Sequence, residues 1–236
     1  HSCVTIMGTR NGLDPGALLL TNDPTDGPVF VVTGHDVRIT GLRFQGPVPT
    51  DTEPHRKAKT QVSAIWVDED VARGNGVNVV IDNNDFWFWT SAIAVGWEGN
   101  PTIHPPMLPG QAGLISVTRN YFHRNAREGA GYGVEVGSGY VLIEGNLFDH
   151  NRHAVAHGGG PNSGYIARYN YVLEGGFTQD GSWQQHFDVH GQDAGYGGVA
   201  GEYFEIASNT IRGEQEYFLV MTRPAFMLRG KPTIGA

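Results

Sequence analysis

One short pattern recurs five times along the chain and restricts the folds open to it. An apolar residue, a polar one and a second apolar one lead, two residues on, to an asparagine. A further apolar side chain follows two places later. The copies read VNVVIDNNDF (77–86), LISVTRNYF (114–122), YVLIEGNLF (140–148), YIARYNYV (165–172) and YFEIASNTI (203–211). Asn84, Asn120, Asn146, Asn170 and Asn209 align. Three places before them stand Ile81, Val117, Ile143, Ala167 and Ile206, and five before stand Val79, Ile115, Val141, Tyr165 and Phe204. Two after stand Phe86, Phe122, Phe148, Val172 and Ile211. VRITGLRF (37–44) is an earlier copy with Leu42 in place of the asparagine.

Alternating apolar and polar residues mark a strand, because successive side chains point to opposite faces. The anchors lie 42, 36, 26, 24 and 39 residues apart, so the loops vary while the strand pair does not. A fixed strand pair joined at a tight corner, with loops of unequal length, describes one coil of a parallel β-solenoid. Asparagine suits the corner because it tolerates left-handed φ/ψ and its amide can bond the asparagine of the next coil. A sandwich or propeller with asparagines at ordinary turns is the alternative. With its asparagine ladder the pattern resembles the right-handed parallel β-helix of the pectate-lyase-like superfamily, over about residues 30–223. The resemblance implies an all-β single domain (1–236) of about six coils. That superfamily includes polysaccharide lyases, glycoside hydrolases, uronate epimerases and non-catalytic tailspikes, so the fold alone selects no function.

Composition narrows the classes. The 34 glycines and 13 prolines follow no G-x-y period, which excludes collagen, and 39% hydrophobic residues argue against disorder. The single cysteine, Cys3, allows no internal disulfide and no cysteine-based zinc site. A formal charge of −8 speaks against a nucleic-acid partner, and no apolar run is long enough to span a membrane. The glycan reading places the protein outside the cell, secreted or at its surface.

Each coil needs a third strand. SAIWVD (63–68), SAIAVG (91–96), YGVEVG (132–137), RHAVAH (152–157) and QHFDVH (185–190) supply the candidates. With Ile65/Val67, Ile93/Val95, Val134/Val136, Ala154/Ala156 and Phe187/Val189 pointing inward, three outward columns follow. They are Ala64, Ala92, Gly133, His153, His186; Trp66, Ala94, Glu135, Val155, Asp188; and Asp68, Gly96, Gly137, His157, His190. With coils about 4.8 Å apart and outward residues about 6.6–7 Å apart along a strand, four histidines, His153, His157, His186 and His190, gather around Asp188, with Glu135 two coils away. Glycines in the columns would leave a trough. Tyr132, Tyr196, Trp183 and Arg152 are candidate substrate contacts in its walls.

Histidine titrates near neutrality and serves as general acid or base, and Asp188 can orient His190. The expected reaction is β-elimination on a uronic-acid-containing glycan. His190 or His157 would be the base and Tyr132 or Tyr196 the acid, with His153, His186 and Glu135 in the same set. HFDVHG is similar to the D-x-H strand motif of β-helix alginate epimerases, which implies catalytic roles for Asp188 and His190; the family's tyrosine three places before the Asp is Gln185 here. A metal mechanism is the second expectation: His157, Asp188 and His190 offer two imidazoles and a carboxylate suited to Zn²⁺ or another first-row divalent ion, with Ca²⁺ less suited. Stacked histidines without a metal should include one with a depressed pKa. Glu135 and Asp188 as a hydrolase pair, or a non-catalytic glycan-binding module, complete the alternatives.

Overall fold

Why the pattern closes into coils is visible in the computed structural model, which describes residues 2–10, 12–22, 27–48, 62–68, 71, 78–96, 115–127, 129–161, 163–175, 185–212 and 224–234. Twenty-one strands fall into three parallel sheets of seven, each sheet taking every third strand in chain order. The described residues therefore wind through seven coils, one more than expected, as a right-handed parallel β-helix. The extra coil is the first, Val4–Met7, Leu18–Leu20 and Phe30–Val32, which precedes any asparagine in the repeat.

The first two sheets keep the register of the repeat throughout. Val37, Val79, Ile115, Val141, Tyr165 and Phe204 form one column, and Ile39, Ile81, Val117, Ile143, Ala167 and Ile206 the next. In the second sheet Phe44, Phe86, Phe122, Phe148, Val172 and Ile211 are in register. The four phenylalanine rings stack face to face at centroid spacings of 4.8, 5.0 and 5.0 Å, an aromatic column set by the coil rise.

The corner between these sheets is held by amides. Asn120 Oδ1 accepts from the backbone N–H of Asn84 at 3.0 Å and from Asn84 Nδ2 at 3.2 Å, while Asn120 Nδ2 donates to the Ile81 carbonyl. Asn146, Asn170 and Asn209 repeat the arrangement coil by coil. The left-handed conformation belongs to the residue before each of them: Gly41, Asn83, Arg119, Gly145, Tyr169 and Ser208 all have φ between 54° and 70°. The ladder asparagines are thus selected for their amides, not for backbone tolerance. Asn125 and Asn151 form a second, shorter ladder at the next corner, where Asn125 Nδ2 donates to Asn151 Oδ1 at 2.8 Å.

The third sheet departs from expectation at one strand. Its first three registers hold, with Ile65, Ile93 and Val134 in one column and Val67, Val95 and Val136 in the next. In His153–His157, however, Val155 and His157 continue those columns, not Ala154 and Ala156. Val155 then pairs with Phe187 and His157 with Val189. A one-residue shift sends each side chain to the other face of the sheet. Valine fills the column of branched side chains better than alanine does, and that decides the register.

Candidate active site

The outer column of the third sheet now reads Trp66, Ala94, Glu135, Ala156, Asp188 and Met227. Glu135 and Asp188 stand two coils apart, with alanine between them instead of Val155. The small residues of this column are therefore Ala94 and Ala156, both buried. Gly133 does not contribute to it, since a Cβ there would meet the Phe148 ring at 2.7 Å.

Asp188 is the centre of the site. Its side chain has no exposed surface, yet Oδ2 faces three cationic or potentially cationic groups. His190 Nε2 lies 3.1 Å away, His153 Nε2 lies 3.5 Å away, and Arg229 Nη2 donates a short hydrogen bond. Burial alone would raise the Asp188 pKa. The His190 hydrogen bond and the charges of His153, His190 and Arg229 outweigh it and hold the carboxyl below its usual range. Asp188 Oδ1 is buried with no hydrogen-bond partner, as are the Nε atoms of Arg152 and Arg229 and both amide atoms of Gln185. Such atoms are costly to bury and mark a place where a ligand or water completes the bonding.

His190 is the open end of the Asp188 pair, with its side chain 36% exposed. A proton on Nε2, bonded to Asp188, leaves the Nδ1 lone pair for other partners. A Cβ at Gly195 would sit 3.6 Å from Nδ1, and Gly195 has φ +85°, so a side chain there would be strained and would encroach on that nitrogen.

Tyr132 and His153 stand side by side in register, with rings stacked at 5.4 Å and 7°. His153 is buried, and its Nδ1 donates to the Gln185 carbonyl at 2.5 Å, which turns Nε2 toward Asp188. Arg152 covers the Tyr132 ring at 5.8 Å and donates to its hydroxyl at 3.3 Å. Burial pushes the Tyr132 phenol up to about 12, helped by Glu135 and Asp188 and opposed by Arg152. Glu135 accepts a short hydrogen bond from the Ser91 hydroxyl. Tyr196 is 56% exposed on the loop after His190, and the Arg229 guanidinium lies 4.8 Å from its ring centroid.

Several expectations need correction. His157 is not on the outer face. It is buried in the core, where Nδ1 accepts from the Gly159 backbone at 2.9 Å and Nε2 donates to Ser163 Oγ at 2.9 Å. Both nitrogens are engaged, and burial, with the nearby charge of His190, drives its pKa down to about 3. The depressed histidine thus exists, but burial rather than stacking is the leading cause, and His157 is available neither as base nor as ligand. The His157, Asp188, His190 metal set is accordingly not brought together. Among the described residues no group of three or more His, Cys, Asp or Glu side chains is placed to hold an ion. His186 is buried, and its carbonyl accepts from the N–H groups of Ala154 and Val155. Trp183 lies outside the described residues.

Arg229 is the residue that sequence reasoning missed. It follows the seventh strand of the third sheet, Phe226–Leu228, whose Phe226 and Leu228 pair with Phe187 and Val189. A faint signal was present: AFMLRG (225–230) aligns with HFDVHG (186–191) through its phenylalanine and glycine, with Leu228 for Val189 and Arg229 for His190. By contrast, the first sheet carries ion pairs whose arginines reach solvent, Arg38 with the buried Asp82 and Arg168 with the partly exposed Glu144. No helix among the described residues is long and apolar enough to cross a membrane. Comparison of the chain with protein-family models, with curated proteins and with solved structures finds no match.

Proposed function

We propose that the chain is a polysaccharide-active enzyme, akin to those of the pectate-lyase-like superfamily and working outside the cell. Its reaction is β-elimination on a uronic-acid-containing glycan at the Asp188 site. The observation that carries this reading is the Asp188–His190 pair, buried at the carboxylate and open at the imidazole. In β-elimination a base removes the proton from the carbon bearing the carboxylate. That electron pair forms a carbon–carbon double bond as the neighbouring glycosidic C–O bond breaks, and the leaving oxygen takes up a proton. Nδ1 of His190 suits the first step, with Asp188 fixing the tautomer. Tyr132, whose phenol is pushed up to about 12, keeps its proton at neutral pH and suits the last. Arg152 beside Tyr132 and Arg229 beside Asp188 place positive charge at the site, and such charge offsets a substrate carboxylate as electrons build on it.

A second reading is an inverting hydrolase, favoured by the spacing of Glu135 and Asp188 at two coil rises, about 9.6 Å. It is weaker because Asp188 is enclosed by Arg229 and His190 and held ionised. A panel of polyuronates tests both, with and without chelator. Ultraviolet absorbance from unsaturated ends is the expected result; new reducing ends without it indicate the hydrolase. Neither product at any metal content leaves a glycan-binding module.

A further inference from the structure

Four coils before Asp188, the same outer column begins a second feature that the reaction does not use. Trp66 pairs in register with Ala94, which pairs with Glu135, then Ala156, then Asp188. The four steps span about 19 Å at one coil rise each. Between the indole and the carboxylate, two of the three intervening positions are alanines, both buried and too short to project from the face. Trp66 itself is half-buried, and its indole N–H is shielded from solvent with no hydrogen-bond partner. A tryptophan rarely leaves that donor unpaired when it is buried.

We infer that Trp66 is the distal sugar-binding subsite of a trough that holds the glycan along the solenoid axis, and that it sets the chain length the protein prefers. This rests on the glycan reading of the Asp188 site. One pyranose in an extended chain advances by nearly one coil rise, so a chain reaching from Asp188 to Trp66 has about five sugar rings. The partly exposed indole face receives the C–H side of the last ring. Such an anchor adds affinity only for chains long enough to reach it.

The test is binding of size-defined oligouronates, trimer to hexamer, by calorimetry to wild-type protein, Trp66→Ala and Trp66→Phe, with neutral xylo- and gluco-oligomers in parallel. Wild type should gain about tenfold in affinity between trimer and pentamer and little beyond. Trp66→Ala should lose that gain while binding the trimer as wild type does, and Trp66→Phe should keep part of it. An unchanged length dependence in Trp66→Ala, or an equal loss for trimer and pentamer, overturns the subsite. Should Trp66→Ala fail to fold, Trp66→Phe decides by the same comparison. Length dependence seen only with neutral oligomers would retain the subsite and reject the uronate reading. Absence of binding by every oligomer rejects both.

Discussion

Asp188 and His190 meet at 3.1 Å with the carboxylate wholly buried and the imidazole open to solvent. They stand two residues apart on one rigid strand and its exit, so the backbone fixes their relation. Arg229 closes on the same Asp188 oxygen from the next coil, which ties the pair to the end of the solenoid.

Asp188→Asn should leave the Arg229 guanidinium buried without its counter-charge, at a cost of about 3–5 kcal/mol. The carboxyl pKa is depressed in the folded protein, so its contribution is present above the unfolded value of about 3.9 and is lost as pH falls through the folded value. Urea unfolding across pH should therefore show the full deficit of the variant at neutral pH and a shrinking deficit below about pH 4.

His157 gives a different acid response. Its folded pKa is about 3, against an ordinary value near 6.5, because the core does not admit the charged ring. The unfolded chain takes up a proton that the folded chain refuses. Stability is thus complete above about pH 6.5 and falls by about 1.4 kcal/mol per pH unit down to about pH 3. His157→Phe should remove that slope whatever its stability at neutral pH; a pH dependence identical to wild type would place the His157 ring outside the core.

The two halves of the fold were not equally legible in the chain. The asparagine repeat carries strong contrast, an apolar pair, an amide and a phenylalanine, and it set the registers of the first two sheets from Val37 onward. HAVAH (153–157) carries none, because it reads the same in both directions and its alternation fits either face. Only the neighbouring columns, with Val134 on one side and Phe187 on the other, select Val155 for the core. That choice takes His157 inside, where Ser163 and Gly159 satisfy it. Arg229 was hidden because its strand, the third of the coil that carries Asn209, shares with HFDVHG only the phenylalanine and the glycine. Asp188, His190 and Tyr132 keep their places because their strands are fixed by Phe187 and Val134. His153, by contrast, lies on the shifted strand and meets Asp188 because its Nδ1 bonds the Gln185 carbonyl.

The ladder should be cooperative. Asn146→Ala would orphan the buried Asn120 backbone N–H, take one of two acceptors from Asn120 Nδ2 and remove the amide donor to the Val117 carbonyl. A loss of about 3 kcal/mol in denaturant unfolding is expected. Asn209→Ala, on the last, partly exposed rung, should cost less.

The most direct measurement is the rate at which unsaturated ends appear when polyuronate is offered to wild-type protein and to His190→Ala, with circular dichroism showing both folded. The wild type should generate them, and removal of the base should slow the reaction at least about 100-fold. Equal rates in the two proteins, or no unsaturated ends from the wild type on any uronate, would contradict the account.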